Sequence, residues 1–373
     1  MKIICQKELL LKNLNTCLNS VSERTTVEIL KNFKIETEND ELIITANNLE
    51  TNTICNIKAD IKQQGSLLVN AKTFYSIVSK LPDSDVCLQL SNENILIITS
   101  GKTKFNILTS DVKHFPDNMN LEEDYTFNLN ANLFKDIVKR ISFAASDEEE
   151  KVALRGVYFD MNKDNANIVC VATDGYRLAK DVIPFQSSID CNFIIPIKTI
   201  KDVSNIITNT GIENVSIGIG NGKIRFGINN ILVYSRLVNE KFPDYKLFIP
   251  NDQALSYKIN RKDYLQASER INIIAQRNSN IIKSEVVDNN LRISAVTPDF
   301  GDGSELLNID KNEETEDIQV IFNVQLLIDV LKRLESDSVN INLISGEHPI
   351  VVKEDNNNDY IYVMMPITNK VIS

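Results

Sequence analysis

The sequence predicts an α+β fold built from three copies of one unit of about 125 residues. Three observations predict it: a recurring apolar strand that ends in alanine, two amphipathic helices in each copy, and short apolar runs separated by turn residues. The recurring strands are Glu41–Ala46, Ile168–Ala172 and Leu291–Ala295, whose alanines are 126 and 123 residues apart. The 373 residues suit two or three domains. We therefore predict three domains, at 1–123, 124–252 and 253–373.

Two helices are expected in each unit, because apolar residues recur at intervals of three and four before and after each recurring strand. Leu10, Leu14 and Cys17 form such a stripe in the first unit. The stripes predict six helices, at 6–20, 70–80, 130–145, 196–208, 260–275 and 323–334.

The remaining apolar runs predict strands of antiparallel sheets. Val86–Leu90 and Val339–Leu343 alternate between apolar and other residues, as a half-buried strand does. Residues that favour tight turns separate neighbouring runs, at Ser100–Gly101, Gly220–Gly222 and Asn356–Asn358. Antiparallel meanders in each unit follow from this pattern.

Composition excludes several classes of protein. The six cysteines are dispersed and include no C-x-x-C pair, so they are expected to be reduced and mostly buried, with no metal site. Only two histidines are present, which disfavours imidazole-based catalysis. We find no apolar run of membrane-spanning length and no signal peptide, so we expect a cytoplasmic protein without a membrane partner. A formal charge of −11 argues against tight, nonspecific adhesion to nucleic acid.

Two motifs suggest chemistry that their surroundings do not support. Gly101-Lys102-Thr103 could close a phosphate-binding loop, but Leu96 stands where that loop needs glycine, and a strand-like run follows. We therefore predict a hairpin there, and a second hairpin at Gly218–Lys223. The acidic run Asp147–Glu150 could bind a hard cation, but no second carboxylate cluster accompanies it, so a solvated loop is favoured.

The positive charge is concentrated in the six predicted helices. Their net charge is +8, which leaves −19 for the rest of the chain. Part of this excess has a local explanation, because Lys and Arg stabilise the last turns of helices through the macrodipole. The alternative is that the helices line one surface that faces a polyanion while the strands form an acidic exterior.

Three separated motifs resemble those of a known family. They are Ala172–Ala179 (ATDGYRLA), Lys241–Tyr245 (KFPDY) and Tyr362–Ile367 (YVMMPI). On a threefold repeat, they are similar to the beta subunit of bacterial DNA polymerase III, the replicative sliding clamp. The resemblance extends from Met1 to about Thr368.

This resemblance implies three repeated DNA-clamp domains with inner helices and outer antiparallel sheets, and a head-to-tail homodimer that closes a six-domain ring. It implies DNA contacts at Arg24, Lys72, Lys139, Arg140 and Lys198. It places dimer contacts at Phe105 and Ile107 opposite Ile273 and Ile274. It also implies a peptide-binding pocket formed by Leu154, Thr173, Gly175, Tyr176, Arg177, Leu178, Pro243, Phe248, Val363, Met365, Pro366 and Ile367. The chain departs from the family at Tyr176, commonly His, at Leu247, often Arg, and at Thr368, where the family can have a basic residue.

The resemblance implies a non-enzymatic processivity factor without cofactors. Its expected partners are enclosed double-stranded DNA, without sequence specificity, the replicative DNA polymerase, the clamp loader and other proteins that carry a clamp-binding motif. Two alternatives remain open from the residues alone. One is an ATPase around Gly101-Lys102-Thr103, and the other is a repeat scaffold that binds only proteins.

Overall fold

The computed structural model of the chain describes residues 1–22, 25–116, 121–250, 255–311, 318–355 and 357–368. Of the predicted site residues, Arg24 lies outside these ranges. The predicted turn at 356–358 is described only from Asn357 onward.

Six α-helices are present among the described residues, at the six predicted places. They are α1 Lys7–Leu18, α2 Ala71–Lys80, α3 Ala131–Ile141, α4 Ile197–Thr210, α5 Arg261–Ala275 and α6 Val324–Leu331.

Asparagine side chains cap the start of most of these helices. The side-chain oxygens of Asn70, Asn130, Asn260 and Asn323 each accept a hydrogen bond from a backbone N–H in the first turn. Such a cap satisfies a donor that has no partner within the helix. Each repeat therefore has at least one helix start that is encoded locally.

The strands fill the remaining length of each repeat. In the first repeat they are β1 Lys2–Cys5, β2 Asn32–Glu38, β3 Glu41–Asn47, β4 Thr51–Lys58, β5 Asp60–Gln63, β6 Ser66–Asn70, β7 Val86–Leu90, β8 Ile95–Ser100 and β9 Thr103–Leu108. In the second they are β10 Tyr125–Asn130, β11 Gly156–Asn162, β12 Asn167–Thr173, β13 Arg177–Pro184, β14 Cys191–Pro196, β15 Asn214–Gly220, β16 Lys223–Ile228 and β17 Ile231–Arg236. In the third they are β18 Leu255–Asn260, β19 Ile281–Val287, β20 Asn290–Thr297, β21 Gly301–Asn308, β22 Asp310–Lys311, β23 Gln319–Asn323, β24 Ser338–Leu343, β25 Ile350–Glu354 and β26 Asn357–Met364.

The chain forms two compact units, each with two antiparallel sheets. The first unit comprises Met1–Lys135 and Lys198–Leu237, with strand orders β5-β1-β7-β8-β9 and β10-β15-β16-β17-β4-β3-β2-β6. The second comprises Asp136–Ile197 and Val238–Ser373, with strand orders β14-β11-β12-β13-β26-β25-β24-β18-β22 and β21-β20-β19-β23. Each unit takes part of the predicted middle domain, and the boundaries at 1–123, 124–252 and 253–373 stay a prediction.

Neighbouring repeats share sheets through one strand pair each. Strand β17 of the second repeat pairs with β4 of the first, and β26 of the third pairs with β13 of the second. We call these pairs the first and second junctions. Strand β9 of the first repeat corresponds to β17 and β26, and strand β21 of the third repeat corresponds to β4 and β13. Among the described strands, β9 and β21 each pair on one side only.

Buried apolar residues follow the predicted stripes. Leu10, Leu14 and Cys17 of α1 have no exposed surface. All six cysteines are free thiols, and four of them are buried. Burial raises the pKa of the Cys5 thiol to about 12, so this group stays protonated.

Candidate functional site

A cavity of about 140 Å³ in the second unit gathers most of the residues predicted for a peptide pocket. It is lined by Leu154, Thr173, Gly175, Arg177, Leu178, Pro243, Phe248, Val363 and Met365. The other three predicted residues, Tyr176, Pro366 and Ile367, are not among the lining residues, although Tyr176 and Pro366 are next to lining residues in sequence. We call this space the apolar cavity.

The second junction places two of the cavity walls side by side. Leu178 on β13 lies opposite Val363 on β26, and Arg177 lies opposite Met364. Beyond the last pair, the Met365 N–H donates to the Tyr176 carbonyl at 2.8 Å. The pairing therefore holds the start of β13 and the end of β26 in fixed register at the cavity.

A packed apolar cluster supports the floor of this cavity. Leu178 and Val363 belong to a buried cluster that includes Phe242 and Tyr245. The Phe242 ring stacks on the Tyr158 ring with centroids 4.8 Å apart. Close packing of this kind fixes the shape of the floor before any ligand arrives.

Polar contacts fix the turn that leads into the cavity. The Thr173 hydroxyl donates to the Arg177 carbonyl at 2.6 Å and accepts from the Gly175 N–H at 3.1 Å. Gly175 has φ +94°, a conformation that costs little for glycine and more for other residues. One Asp174 carboxylate oxygen accepts from the Tyr176 and Arg177 N–H groups.

Arg177 is held between two carboxylates and a ring. Its guanidinium donates to Asp174 at 2.9 Å and to Asp329 on α6 at 2.6 Å, and it lies 5.3 Å from the centroid of Phe143. Burial by itself lowers the pKa of Arg177, but Tyr362, Asp329 and Asp174 together hold that pKa above its ordinary value. The Arg177 guanidinium therefore stays protonated, and two carboxylates hold it in place at the polar wall of the cavity. Asp329 and Phe143 were not predicted from the sequence.

Exposed apolar and aromatic side chains line the cavity or stand next to lining residues in the sequence. Leu247 is 81% exposed, Tyr176 is 61% exposed, and Phe248 and Met365 are also exposed. The Lys151 ammonium lies 5.1 Å from the centroid of the Tyr176 ring. A buried floor with an exposed apolar rim is typical of a site that captures a ligand with apolar anchors.

The predicted DNA-contacting residues differ in their surroundings. Lys139 and Lys198 are half exposed and pair with Glu335 and Asp202, respectively. Lys72 is exposed near the start of α2. Arg140 instead lies 2.5 Å from the buried carboxylate of Asp181, so its charge serves an internal ion pair.

The observed helix bounds lower the positive charge of the helices. Lys332 and Arg333 follow the end of α6 at Leu331, whereas the sequence placed them inside the helix. The six helices as bounded carry a net charge of +6. The excess of positive charge remains, at a smaller size than expected.

Exposed apolar side chains lie on β9 and on the elements that pack beside β21. On β9, Phe105 is 40% exposed and Ile107 is half-buried. In the third repeat, Ile273 is exposed and Ile274 is half-buried. The structure adds three exposed apolar residues of the third repeat that the sequence did not reveal, which are Val296 on β20, Phe300 in the turn after it and Leu306 on β21.

The two motifs that suggested other chemistry take the expected local forms. Gly101 has φ +56° in the turn between β8 and β9, and a strand follows it where a phosphate-binding loop needs a helix. Gly218–Lys223 is likewise part of a hairpin, between β15 and β16. The run Asp147–Glu150 is an exposed loop, and no group of three potential metal ligands occurs within the described ranges. No described helix is long and apolar enough to cross a membrane.

Comparisons with known proteins agree with the repeat pattern and with the motifs. Models of the N-terminal, central and C-terminal domains of the DNA polymerase III beta subunit match residues 1–121, 128–244 and 246–368. The beta sliding clamp of Streptococcus pneumoniae serotype 4 is 30% identical over 372 residues, covering 97% of each chain. That of Bacillus subtilis strain 168 is 28% identical over 379 residues, covering 98% of this chain and 99% of its own.

Solved structures give the same result. The sliding clamp of Bacillus subtilis superposes with a TM-score of 0.94 at 27% identity and covers 99% of both chains. A sliding clamp from Pseudomonas aeruginosa, solved bound to griselimycin, has a TM-score of 0.93 at 26% identity over 99% of both chains. The three repeats are therefore three clamp domains, and the chain belongs to the family of bacterial DNA polymerase III beta subunits, the beta sliding clamps.

Proposed function

We propose that this clamp is a non-catalytic processivity factor that encircles duplex DNA as a homodimer. Enclosure keeps a tethered polymerase near its template and so raises the effective concentration of the enzyme there. This role requires two things of the chain: surfaces that close around the DNA, and a site that holds a partner.

The observation that carries the proposal is the series of strand junctions. Within the chain, the equivalent strands pair twice, as β17 with β4 and β26 with β13. The third pairing of the series would join β9 to β21, and each of these strands has one open side among the described strands. A second copy can supply both missing neighbours, which supports a head-to-tail homodimer with two identical closures.

The exposed apolar side chains support the same closure. Phe105 and Ile107 on β9 would meet Ile273 and Ile274 of the other copy, with Leu306 on β21 adding to that surface. Exposed apolar residues grouped along an open strand edge are typical of an interface.

We propose that DNA is held by enclosure and by weak phosphate contacts without sequence specificity. Arg24, Lys72, Lys139 and Lys198 remain our candidates for these contacts. We assign Arg140 to the internal pair with Asp181 instead, because its guanidinium contacts a buried carboxylate. The net negative charge of the chain suits a protein that must slide and not adhere.

We propose that the apolar cavity captures short peptides with Leu and Phe anchors. These peptides would belong to the replicative polymerase, the clamp loader and other proteins with a clamp-binding motif. The packed floor at Leu178 and Val363, the fixed charge of Arg177 and the flexible rim residue Met365 support this role.

We also propose that the clamp works in the cytoplasm, where the chromosome is replicated. We retain the domain boundaries 1–123, 124–252 and 253–373.

Retention on DNA of different topology tests the proposal. The chain is loaded onto nicked circular DNA by a clamp loader and then separated from free protein by gel filtration, before and after the circle is linearised. Enclosure predicts retention on circles and loss within minutes from linear DNA with free ends. Equal retention on both would contradict enclosure and favour ordinary surface binding. The Ile273→Ala, Ile274→Ala double variant, which should not close, is the matched control.

A further inference from the structure

The acidic run Asp147–Glu150 lies beside the apolar cavity, although the proposed function gives it no role. The Ser146 N–H donates to the carbonyl of Leu154 at 2.9 Å, and Leu154 lines the cavity. The intervening residues therefore form a loop whose two ends meet at the cavity wall. All four acidic residues of the run are exposed. We call residues 147–155 the acidic segment.

Lys151 attaches this loop to the turn between β12 and β13. Its ammonium donates to Glu148 at 2.7 Å and to the Asp174 carbonyl at 3.2 Å, and it lies 5.1 Å from the centroid of the Tyr176 ring. A Cβ at Gly175, which lines the cavity, would stand 4.0 Å from the same ammonium. The hydrogen bond with Glu148 raises the pKa of Lys151, so the ammonium stays charged. The acidic segment is therefore held next to the cavity.

The acidic segment carries the net charge of the four segments that line the cavity. Its four carboxylates outnumber Lys151 and Arg155, for a net charge of −2. Residues 173–178 have one acidic and one basic residue, residues 240–248 have two of each, and residues 361–368 have none. The surroundings of the cavity are therefore negative on the side of the acidic segment, while the other three segments are neutral.

Arg177 lines the cavity but is not free to offset this charge. It pairs with Asp174 at 2.9 Å and with Asp329 at 2.6 Å. Arg333 balances the second carboxylate, since its guanidinium donates to the Asp329 backbone carbonyl at 2.6 Å. In contrast, three of the four carboxylates of the acidic segment form no ion pair within the described part of the chain, and Glu148 is the exception. These three are available to a ligand.

We propose that the acidic segment selects peptides whose Leu and Phe anchors are flanked by Lys or Arg. This inference rests on the proposed capture of peptides by the apolar cavity and names a further feature of those peptides. The apolar anchors supply most of the binding energy. Exposed carboxylates add a modest attraction for each basic residue, which is enough to discriminate among peptides that share the same anchors.

Three fluorescent peptides with the same anchors test the inference on the full-length chain. They carry a pair of lysines, glutamines or glutamates, placed before the anchors in one set and after them in another. In at least one set, the lysine peptide should bind about fivefold tighter than the glutamine peptide, as two exposed ion pairs of ordinary strength would give. The glutamate peptide should bind most weakly. Both differences should shrink at high salt, because exposed charges are screened. Fluorescence anisotropy measures the affinities.

Variants separate the effect of the acidic segment from that of overall charge. The Glu149→Gln, Glu150→Gln double variant should lose most of the preference for lysine and keep its affinity for the glutamine peptide. The matched control is Asp164→Asn, Asp359→Asn, which removes two exposed carboxylates and should retain the preference. Asp164 precedes β12 and Asp359 lies near the start of β26, whereas the cavity lies at the other end of both strands.

A charge reversal gives a change of sign that structural damage cannot imitate. Glu149→Lys with Glu150→Lys changes the net charge of the acidic segment from −2 to +2, so the glutamate peptide should become the tighter ligand. Equal binding of the three peptides by the wild type would overturn the inference and leave peptide capture in place. A full preference for lysine in the glutamine double variant, or an equal loss in the control, would also overturn it. Failure of the glutamine peptide to bind at all would instead overturn the proposed peptide capture, and the inference with it.

Discussion

The hairpins β3–β4 and β12–β13 hold equivalent places in the first and second repeats and share one backbone design. Asn48 in the first turn and Asp174 in the second each accept two backbone N–H groups with one side-chain oxygen. One residue later, Leu49 and Gly175 both adopt positive φ, at +74° and +94°. The repeat has therefore preserved the turn although its sequence differs.

The side chains that follow these turns give the two junctions different properties. After the first turn come Thr51 and the buried Asn52, and after the second come Arg177 and the buried Leu178. The first junction therefore has polar side chains at Thr51 and Asn52, whereas Arg177 and Leu178 at the equivalent positions of the second line the apolar cavity. The comparison teaches that equivalent strand pairing fixes the same backbone geometry in both repeats, while the side chains that follow the turn determine whether the surface there is polar or apolar.

The largest expected effect is on dimer affinity, at the proposed contact between β9 of one copy and β21 of the other. The combined substitution Ile273→Ala and Ile274→Ala should weaken the dimer, because burial of each side chain in the partner contact is worth about 2 kcal/mol. Because the proposed homodimer has two identical closures, four such side chains are lost, which corresponds to an increase of about a millionfold in the dimer dissociation constant. Sedimentation at nanomolar concentration measures it. Leu133→Ala, at another exposed apolar residue, is the control. A double variant that remains dimeric at that concentration would show that the interface lies elsewhere.

The next largest effect is the loss of folding stability when a polar group beside each of the two junctions is removed. Beside the second, Arg140 pairs with Asp181, which is fully buried on β13. Beside the first, the hydroxyls of Ser20 and Thr53 hydrogen-bond at 2.7 Å. Arg140→Met should destabilise the second unit by about 3 kcal/mol, because it leaves a buried charge unpaired. Ser20→Ala should cost the first unit only about 1 kcal/mol. Urea denaturation measures both.

The Asp181→Asn variant completes a cycle with Arg140→Met. The double variant should be more stable than Arg140→Met alone, because no unpaired charge remains.

Burial raises the pKa of Asp181 despite the opposing effect of Arg140. Since the folded-state pKa is the higher one, the stability that this carboxyl contributes is present below its unfolded-state pKa and is lost as pH rises through its folded-state value. The stability of the wild type relative to Asp181→Asn should therefore fall with rising pH in the acidic range, and the opposite slope would contradict the assignment.

The elements of the fold could be predicted because their signals are local. Helix starts coincide with capping residues such as Asn70 and Asn323, and apolar stripes fix the buried faces. The end of α6 could not be placed in this way. The apolar period continues to the buried Leu334, yet the α-helix ends at Leu331, and Lys332 is its C-cap.

The candidate sites were predictable only where a motif carried them. Nine residues of the apolar cavity follow from the three family motifs and the alignment that they anchor. Phe143 and Asp329 escaped notice because they contact Arg177 only through tertiary packing, Asp329 from a position 152 residues away. The exposed edge residues escaped for another reason. Leu306 is 57% exposed and its neighbour Leu307 is buried, and composition alone cannot distinguish the two.

Exchanging one residue between the hairpins should transfer the polar character of the first junction to the second. Leu178→Asn places in the cavity floor the residue type that the first hairpin has at Asn52. We expect at least a tenfold loss of affinity for a fluorescent peptide with Leu and Phe anchors, because a buried amide replaces an apolar contact. Fluorescence anisotropy measures it. The reciprocal Asn52→Leu should leave the affinity unchanged. Unchanged binding by Leu178→Asn would place the peptide site elsewhere.

The smallest expected effect concerns the turns themselves. Leu49 adopts φ +74°, which costs a non-glycine residue about 1 kcal/mol, whereas Gly175 adopts φ +94° with little strain. Leu49→Asn should stabilise the first unit by about 0.5 kcal/mol, because asparagine tolerates this conformation and Leu49 is already half exposed. Gly175→Ala should destabilise the second unit by about 1 kcal/mol, through backbone strain and not through collision, since the nearest atom to the added Cβ would be the Lys151 Nζ at 4.0 Å. Urea midpoints that move in opposite directions would support one shared turn conformation. Movement in the same direction would mean that the two turns differ in solution.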